Sequence, residues 1–416
     1  MRVKIDKRLI AVIFVFLTIP HKLLLAQPPQ NAALLYYQAF MVYESPNEEM
    51  RKKLYDLVRH QIEPDRQITR YVTKQQSVID LLTIAADLPN CDWGFDYSRG
   101  VAFYVPHLHS FRELSRIVIA DAKILAEQND YKTALKRCLT LHKMSHHIGD
   151  DLLITLLVAS SSVDLANECI KYILSEMPSD VTTLHWLKAE LSRIDSKPFA
   201  LKNSLGNEYK LVVADMTPDR IDKMISLCLE PVITVLGASP DKLPTKRQVD
   251  KKRIEEKQNW EQIVRERVRK ADEDFLERNR IHLKKYFIDK FPLTLELPYD
   301  QAYTKLIELD QEIKNDSYKD PDATITAVVK PPLAIVLSKT VRTNAFINAV
   351  RAAIEIYVIN AKTGSLPDEL PDSLPGDLFS SQPFKYEKTT EGFILRCRGK
   401  DPVKKKIHKY VFKVSK

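Results

Sequence analysis

The chain has 416 residues and a formal net charge of +8, long enough for two or three domains and for a core that needs no staples. Only nine glycines occur, far below the usual proportion of about 7%, while Leu, Ala, Ile, Lys and Glu abound; this excludes a barrel or sandwich and predicts a mainly α protein. The charge is uneven, since residues 1–26 carry +4, Arg396 to Lys416 carry +8, and the body between them is mildly acidic. A uniformly basic nucleic-acid binder is therefore excluded, and no nucleic-acid partner is expected.

The chain opens "MRVKIDKRLIAVIFVFLTIPHKLLLAQ", a basic start followed by an apolar run from Leu9 to Ile19, Pro20, and Ala26 before a polar segment. That layout predicts a signal peptide over residues 1–26, cleaved after Ala26, and hence an exported protein, periplasmic or secreted. The alternative is an inner-membrane anchor through an uncleaved signal, against which stands an apolar core well short of the roughly 20 residues a span requires. No later segment reads as long and apolar enough to span, so no membrane span is expected after cleavage. Export makes disulfides chemically accessible to Cys91, Cys138, Cys169, Cys228 and Cys397, and a pair within the first three is the least surprising. Cys138 and Cys169 also fall on apolar helical stripes and read as core thiols.

Helical periodicity then runs in order. Asn31 caps a helix to Tyr43, a polar helix covers Glu48 to His60, and one helix is predicted from Gln67 to the Pro89 region. The aromatic, acidic "NCDWGFDYSRG" reads as a loop pinned by Trp93, Phe95 and Tyr97. Three helices follow, about Leu108–Gln128, Tyr131–Ile148 and Asp151–Met177, with Gly149 as a left-handed stop and Asp150 as the next N-cap. The phrase "DAKILAEQNDYKTALKRCLTL" has the cadence of one tetratricopeptide-like hairpin without a second copy 34 residues away. A helix from Thr182 to Ile194 precedes a region, residues 198–240, broken into short pieces by Pro and Gly. Residues 241–290 hold 16 Lys or Arg and 11 Asp or Glu around a narrow apolar stripe, the pattern of a long solvated helix. A helix near Tyr299–Asn315, an acidic loop and a long amphipathic helix ending at Gly364 complete the helical part. Beyond it the period changes to two in "FKYEK", "GFILRCRG" and "KIHKYVFKV", an antiparallel meander. The fold expected is an irregular helical bundle with TPR-like hairpins and a small C-terminal β meander on a long helix. Its parts are an N-terminal α domain (27–240), a charged helical region (241–338) and the helix with its meander (339–416).

The C-terminal "TGSLPDEL" and "DLFSSQPFKYEKTTEGFILRCRGKD" resemble the C-terminal half of bacterial type II secretion pseudopilins. More closely they resemble the C-terminus of a family of exported, planctomycete-type helical proteins, as do "NAALLYYQAF" and "NCDWGFDYSRG". The match keeps Gly364, Leu366, Pro367, Leu370, Asp377, Phe379, Pro383, Phe384, Tyr386, Gly392, Phe393, Leu395, Gly399 and Asp401, and has Leu378 and Ser381 where that pattern has Pro and Gly. The resemblance implies a shared structural unit and carries no activity. Some pseudopilins hold calcium after the Gly-x-Asp, whereas this chain continues "PVKKKIHKY", which repels a cation.

Two clusters carry candidate chemistry. In "LHKMSHH", His142 and His146 share a helix face at the spacing of a zinc pair, with Asp150 or Asp151 as a third ligand. The plainer reading is that last-turn histidines complement the helix dipole. The basic tail, notably Arg396, Arg398, Lys405, Lys409 and Lys413, suits an anionic partner, either envelope proteins or an anionic surface polymer; the plainer reading is an edge strand guarded by lysines. Cys91 is the one accessible thiol, for which His107 or His109 would have to serve as base. No GxSxG, Walker, GxGxxG or CxxC pattern occurs, and no cofactor is expected. The reading is a non-catalytic exported binding or scaffold protein, the alternative a metal-dependent envelope hydrolase using His142 and His146.

Overall fold

The computed structural model describes residues 30–102, 105, 107–149, 151–194, 201–229, 251–371 and 374–414; the expected leader lies outside them. Helices α1 (Ala32–Val42), α2 (Glu48–Val58), α3 (Arg66–Lys74) and α4 (Gln76–Ala86) open the structure. Asn31, Asn47 and Asp65 cap the first three by accepting backbone N–H groups through their side chains, the usual satisfaction of a helix start. Where one helix was expected from Gln67 to Pro89 there are two. The break is Gln75, whose buried amide turns back to bond the Glu44 backbone N–H and carbonyl, so a tertiary contact overrides helical periodicity.

Helices α5 (His107–Glu127) and α6 (Tyr131–Gly149) form a hairpin, followed by α7 (Leu153–Glu176) and α8 (Val181–Ile194). The hairpin turns at Asn129, which takes φ 63, and Asp130 accepts the Thr133 N–H at 3.2 Å. Across the hairpin Arg137 meets Asp121 at 2.7 Å. Two local expectations change. Gly149 stays helical and buried without a positive φ, and α7 starts at Leu153, where Thr155 Oγ1 accepts the Leu152 N–H at 2.9 Å; Asp150 lies outside the described residues. Helices α9 (Leu201–Asp215) and α10 (Ile221–Leu229) follow, with Gly206 inside α9 rather than breaking it. The single charged helix expected over 241–290 is α11 (Lys251–Arg269) and α12 (Glu273–Lys284), separated where Asp272 caps α12 through the Phe275 N–H at 2.8 Å. A π turn (Lys285–Lys290), the short α13 (Phe291–Thr294), α14 (Tyr299–Lys319), α15 (Thr324–Val329) and the long α16 (Leu333–Thr363) complete the helices. Gly364 caps α16 in the left-handed conformation, φ 74, as expected of a glycine there.

α7 is central, packing against α5, α6, α9, α16 and the last strand. One continuous apolar core runs through it from Ala32 to Phe412, and a satellite cluster holds α2, α3 and α4 against α5 around Leu57, Ile68 and Ile117. The expectation that no later segment is long and apolar enough to span a membrane is corrected. By length and composition α7 and the run Pro321–Thr363 both are, yet α7 is mostly, and the second run half, buried in this fold. A helix enclosed on most sides is apolar over most of its surface for the same reason a membrane span is.

The meander is antiparallel, β1 (Lys385–Thr389), β2 (Gly392–Arg396) and β3 (Lys409–Lys413), in that order. Phe393, Leu395, Tyr410 and Phe412 are buried on its inner face, against Phe346 and Tyr357 of α16. Each hairpin is entered through a loop built around an aspartate. Asp377 and Asp401 each lie five residues before the partner of an isolated β bridge, Gln382 and Lys406, and each loop has a left-handed residue four positions on, Ser381 (φ 56) and Lys405 (φ 54). Lys-Tyr begins the strand at the same offset in both, 385–386 and 409–410. Asp377 accepts the N–H groups of Phe379, Arg398 and Gly399 and the Ser380 hydroxyl. Asp401, fully buried, accepts the Val403 and Lys404 N–H groups and meets Arg342 of α16 and His408 Nε2, both at 2.9 Å. Burial alone raises the Asp401 carboxyl, but the Lys404 amide, His408 and Arg342 together hold it below the usual carboxylate range.

Asp401→Ala should cost about 3 kcal/mol in urea unfolding, because it removes a buried carboxylate and leaves the half-buried Arg342 without its partner. The Asp401 contribution is present above the unfolded carboxylate pKa and is lost as pH falls through its lower folded value, so wild type should lose stability in that acid range and the variant should lose less.

Candidate functional site

The aromatic loop closes one end of the α1–α4 and α5–α6 layers. Asn31 ties it to α1, accepting the Asp92 N–H at 2.9 Å and donating to the Asp92 carbonyl at 2.8 Å. Trp93 is buried and donates Nε1–H to the His147 carbonyl at 2.7 Å, while the Tyr36 hydroxyl is hydrogen-bonded to His147 Nδ1 at 2.8 Å. Trp93 stacks on His107 with ring centroids 4.5 Å apart and on Tyr36 at 5.3 Å, and Phe95 stacks on the same His107 at 5.3 Å. Such ring pairs each add about 0.5 to 1.5 kcal/mol beyond burial. The far end is held by Gly100 (φ 70): a Cβ there would overlap the Asp215 carboxylate, which accepts the Val101 N–H at 2.7 Å and pairs with Arg220 at 3.0 Å. The loop is therefore a rigid wall, pinned by the aromatic residues as its composition predicts.

Beside this wall lies a cleft of about 800 Å³. Its walls are Asn31, the turn Leu88–Asp92, Lys143, His146 and His147 of α6, Asp151, and Glu190, Arg193 and Ile194 at the end of α8. Both cations are held by carboxylates, Lys143 by Asp87 at 2.6 Å and Arg193 by Glu190. Burial pushes the His147 imidazole down to about 4, partly offset by a backbone hydrogen bond, so it is neutral at physiological pH. Cys91 borders the cleft, and burial followed by the nearby carboxylates of Asp151 and Asp92 drives its thiol well above its ordinary value, which removes the thiolate a nucleophile needs. The base considered for it, His107, is engaged in the ring stack, and burial takes its pKa to about 4.

The two histidines of the metal reading have different surroundings. His146 lines the cleft. His142 is fully buried in the α6–α7 seam, 3.0 Å from Asn167 Oδ1, and burial lowers its pKa to about 4. Among the described residues no three His, Cys, Asp or Glu side chains group as metal ligands. All five cysteines are free thiols, and Cys138 and Cys169 are fully buried in the same seam.

The basic candidates separate into spent and unspent groups. Arg398 donates Nε–H to the Pro383 carbonyl at 2.9 Å and Lys413 meets Glu391 at 3.5 Å. Lys405 stands exposed at the tip of the Asp401 loop, and Lys409 is exposed on β3 opposite Arg396 of β2. Sequence reasoning missed the cleft, because Asn31, Lys143 and Arg193 come together only through the packing of distant helices. It also missed the Arg342–Asp401–His408 cluster, for which the recurring Asp with Lys-Tyr at fixed offset was a readable signal. No family model matches the chain, and comparison with curated proteins and with solved structures returns no match.

His107, His142 and His147 each hold a folded pKa near 4 against about 6.5 when unfolded, so the unfolded chain binds more protons between those values. Stability should be full above pH about 6.5 and fall towards pH 4, by on the order of 3 kcal/mol per histidine. Urea unfolding across that range checks this, and His142→Leu should flatten the slope.

Proposed function

We propose that this is an exported, non-catalytic helical binding protein of the cell envelope, with the cleft beside His147 as its ligand site. The observation that carries the reading is the cleft itself: its volume of about 800 Å³ falls in the range of small-molecule sites. Its Asn90–Asp92 wall is tied to α1 through Asn31 and backed by the Trp93 stack, which suits preformed binding and limits the ordering cost of association. The mixed lining of carboxylates and cations, Glu190 and Asp151 with Lys143 and Arg193, suits a zwitterionic ligand such as a free amino acid or a short peptide, which exchanges partners with the resident ion pairs. The thiol that borders the cleft is protonated and one of the two histidines there, His147, is tied to Tyr36, an arrangement that favours holding a ligand over attacking one. Export rests on the leader-like residues 1–26.

A thermal-shift panel of free amino acids and di- and tripeptides tests the reading, with mass spectrometry of each ligand after incubation. At ten times its Kd a true ligand adds about 1.4 kcal/mol, roughly a 2 °C rise in Tm. Arg193→Ala and Lys143→Ala should abolish the rise while leaving the unliganded Tm within a degree or so, as surface changes do. No rise anywhere in the panel, or turnover of any member, overturns it.

A further inference from the structure

The strand register sets three cations in one row across the outer face of the meander. Lys385 of β1 is paired with Arg396 of β2, and Arg396 with Lys409 of β3. Neighbouring strands place such residues about 5 Å apart, and like charges directly opposite one another destabilise a sheet. One carboxylate approaches the row, Glu387 at 3.8 Å from Arg396; Lys385 and Lys409 have no ion-pair partner among the described residues. Guarding an edge accounts for lysines on β1 and β3, the two edge strands, but not for an arginine on the central strand in the same row. The next row, Glu387, Ile394 and Val411, shows that the outer face does not demand cations. Exposed Lys405 and Lys406 extend the positive surface beyond the end of the row.

We propose that this cationic row is a binding site for an extended anionic polysaccharide of the uronic-acid type. Charge complementarity selects an anion. The linear repeat of cations at strand spacing selects a polymer with one charge per unit over a single compact anion. The face also lacks the aromatic and arginine-in-pocket anchors that dominate protein interfaces, offering only half-buried Ile394 and exposed Val411 as apolar surface. A flat, hydrated, singly charged ladder matches a hydrated polyuronate. The site is independent of the cleft, and either assignment stands if the other falls.

The test is binding of the full exported chain to polygalacturonate at about 20 mM salt, where exposed charges are least screened, with neutral dextran as control. Wild type should bind polygalacturonate and not dextran, with affinity falling steeply as salt rises. The combined Lys385→Gln, Arg396→Gln, Lys409→Gln variant should lose about tenfold or more and show a flatter salt dependence, as release of fewer counterions requires. It should also melt at or above the wild-type temperature at low salt, because repulsion within the row is relieved. A remote triple, Lys270→Gln, Lys305→Gln, Lys314→Gln, has the same net charge and should lose less than about twofold. Should the first triple fail to fold, Arg396→Gln alone carries the test, with about a threefold loss expected. The proposal is overturned if wild type does not bind polygalacturonate, if the row variant binds as wild type does, or if the remote triple loses as much. Tighter binding to phosphatidylglycerol vesicles or to oligothymidylate, abolished by the row variant, would reassign the site to a membrane or a nucleic acid and overturn it equally.

Discussion

Everything else in the fold is arranged around the enclosure of α7. A helix packed against α5, α6, α9, α16 and β3 keeps little solvent face, with Ser161 and Glu176 its exposed positions, so most of its polar groups lie where a partner must come from a neighbour. The partners come from three of these neighbours. Ser162 meets Ser115 of α5 at 3.3 Å, Asn167 meets His142 of α6 at 3.0 Å, and Asp164 pairs with Lys339 of α16, whose Thr343 also donates to the Ser160 carbonyl. Apolar packing supplies the bulk of the burial, while these sparse polar contacts fix how each neighbouring helix is rotated and translated along α7. His142 is held in the α6–α7 seam through Nε2, while its buried Nδ1 has no hydrogen-bond partner among the described residues.

The same logic extends to the C-terminal unit. The meander buries Phe393 and Phe412 against the outer side of α16, and Arg342 of that helix reaches Asp401. The Asp401 carboxylate is satisfied from within by two backbone amides, an arginine and a histidine. The lysines after it point away from that centre, which reconciles a run of positive charge with a loop organised by an acid.

The mainly α architecture, the long final helix with its glycine stop and the three-stranded meander were legible because each is a local pattern: heptad-like spacing, a left-handed cap, a period of two. Less legible were the break at Gln75, the start of α7 at Leu153 and the division of the charged region at Asp272. In each a single polar side chain satisfies a backbone group, and at Gln75 that group, on Glu44, is distant in sequence. The cleft was unreadable for the same reason on a larger scale, since Asn31, Lys143 and Arg193 are separated by the lengths of several helices. The membrane-like composition of α7 was overlooked because Ser160, Ser161, Ser162, Asp164 and Asn167 interrupt its apolar run; its hydrophobicity reports exclusion from water and does not say whether protein or lipid does the excluding.

The two aspartate-centred loops have a further meaning for how this chain can change. In each, the backbone course is set by one inward carboxylate and one left-handed residue, helped in the first loop by the Ser380 hydroxyl and the buried Phe379 ring, while outward side chains such as Leu378 or Lys404 take no part in the hydrogen bonds that set it. The loops are thus cassettes whose outward letters are uncoupled from folding. Lysines in one and serines in the other show the same frame carrying different surfaces, and new residues placed at the outward positions alone, leaving Phe379 and Ser380 in place, would inherit a prefolded display.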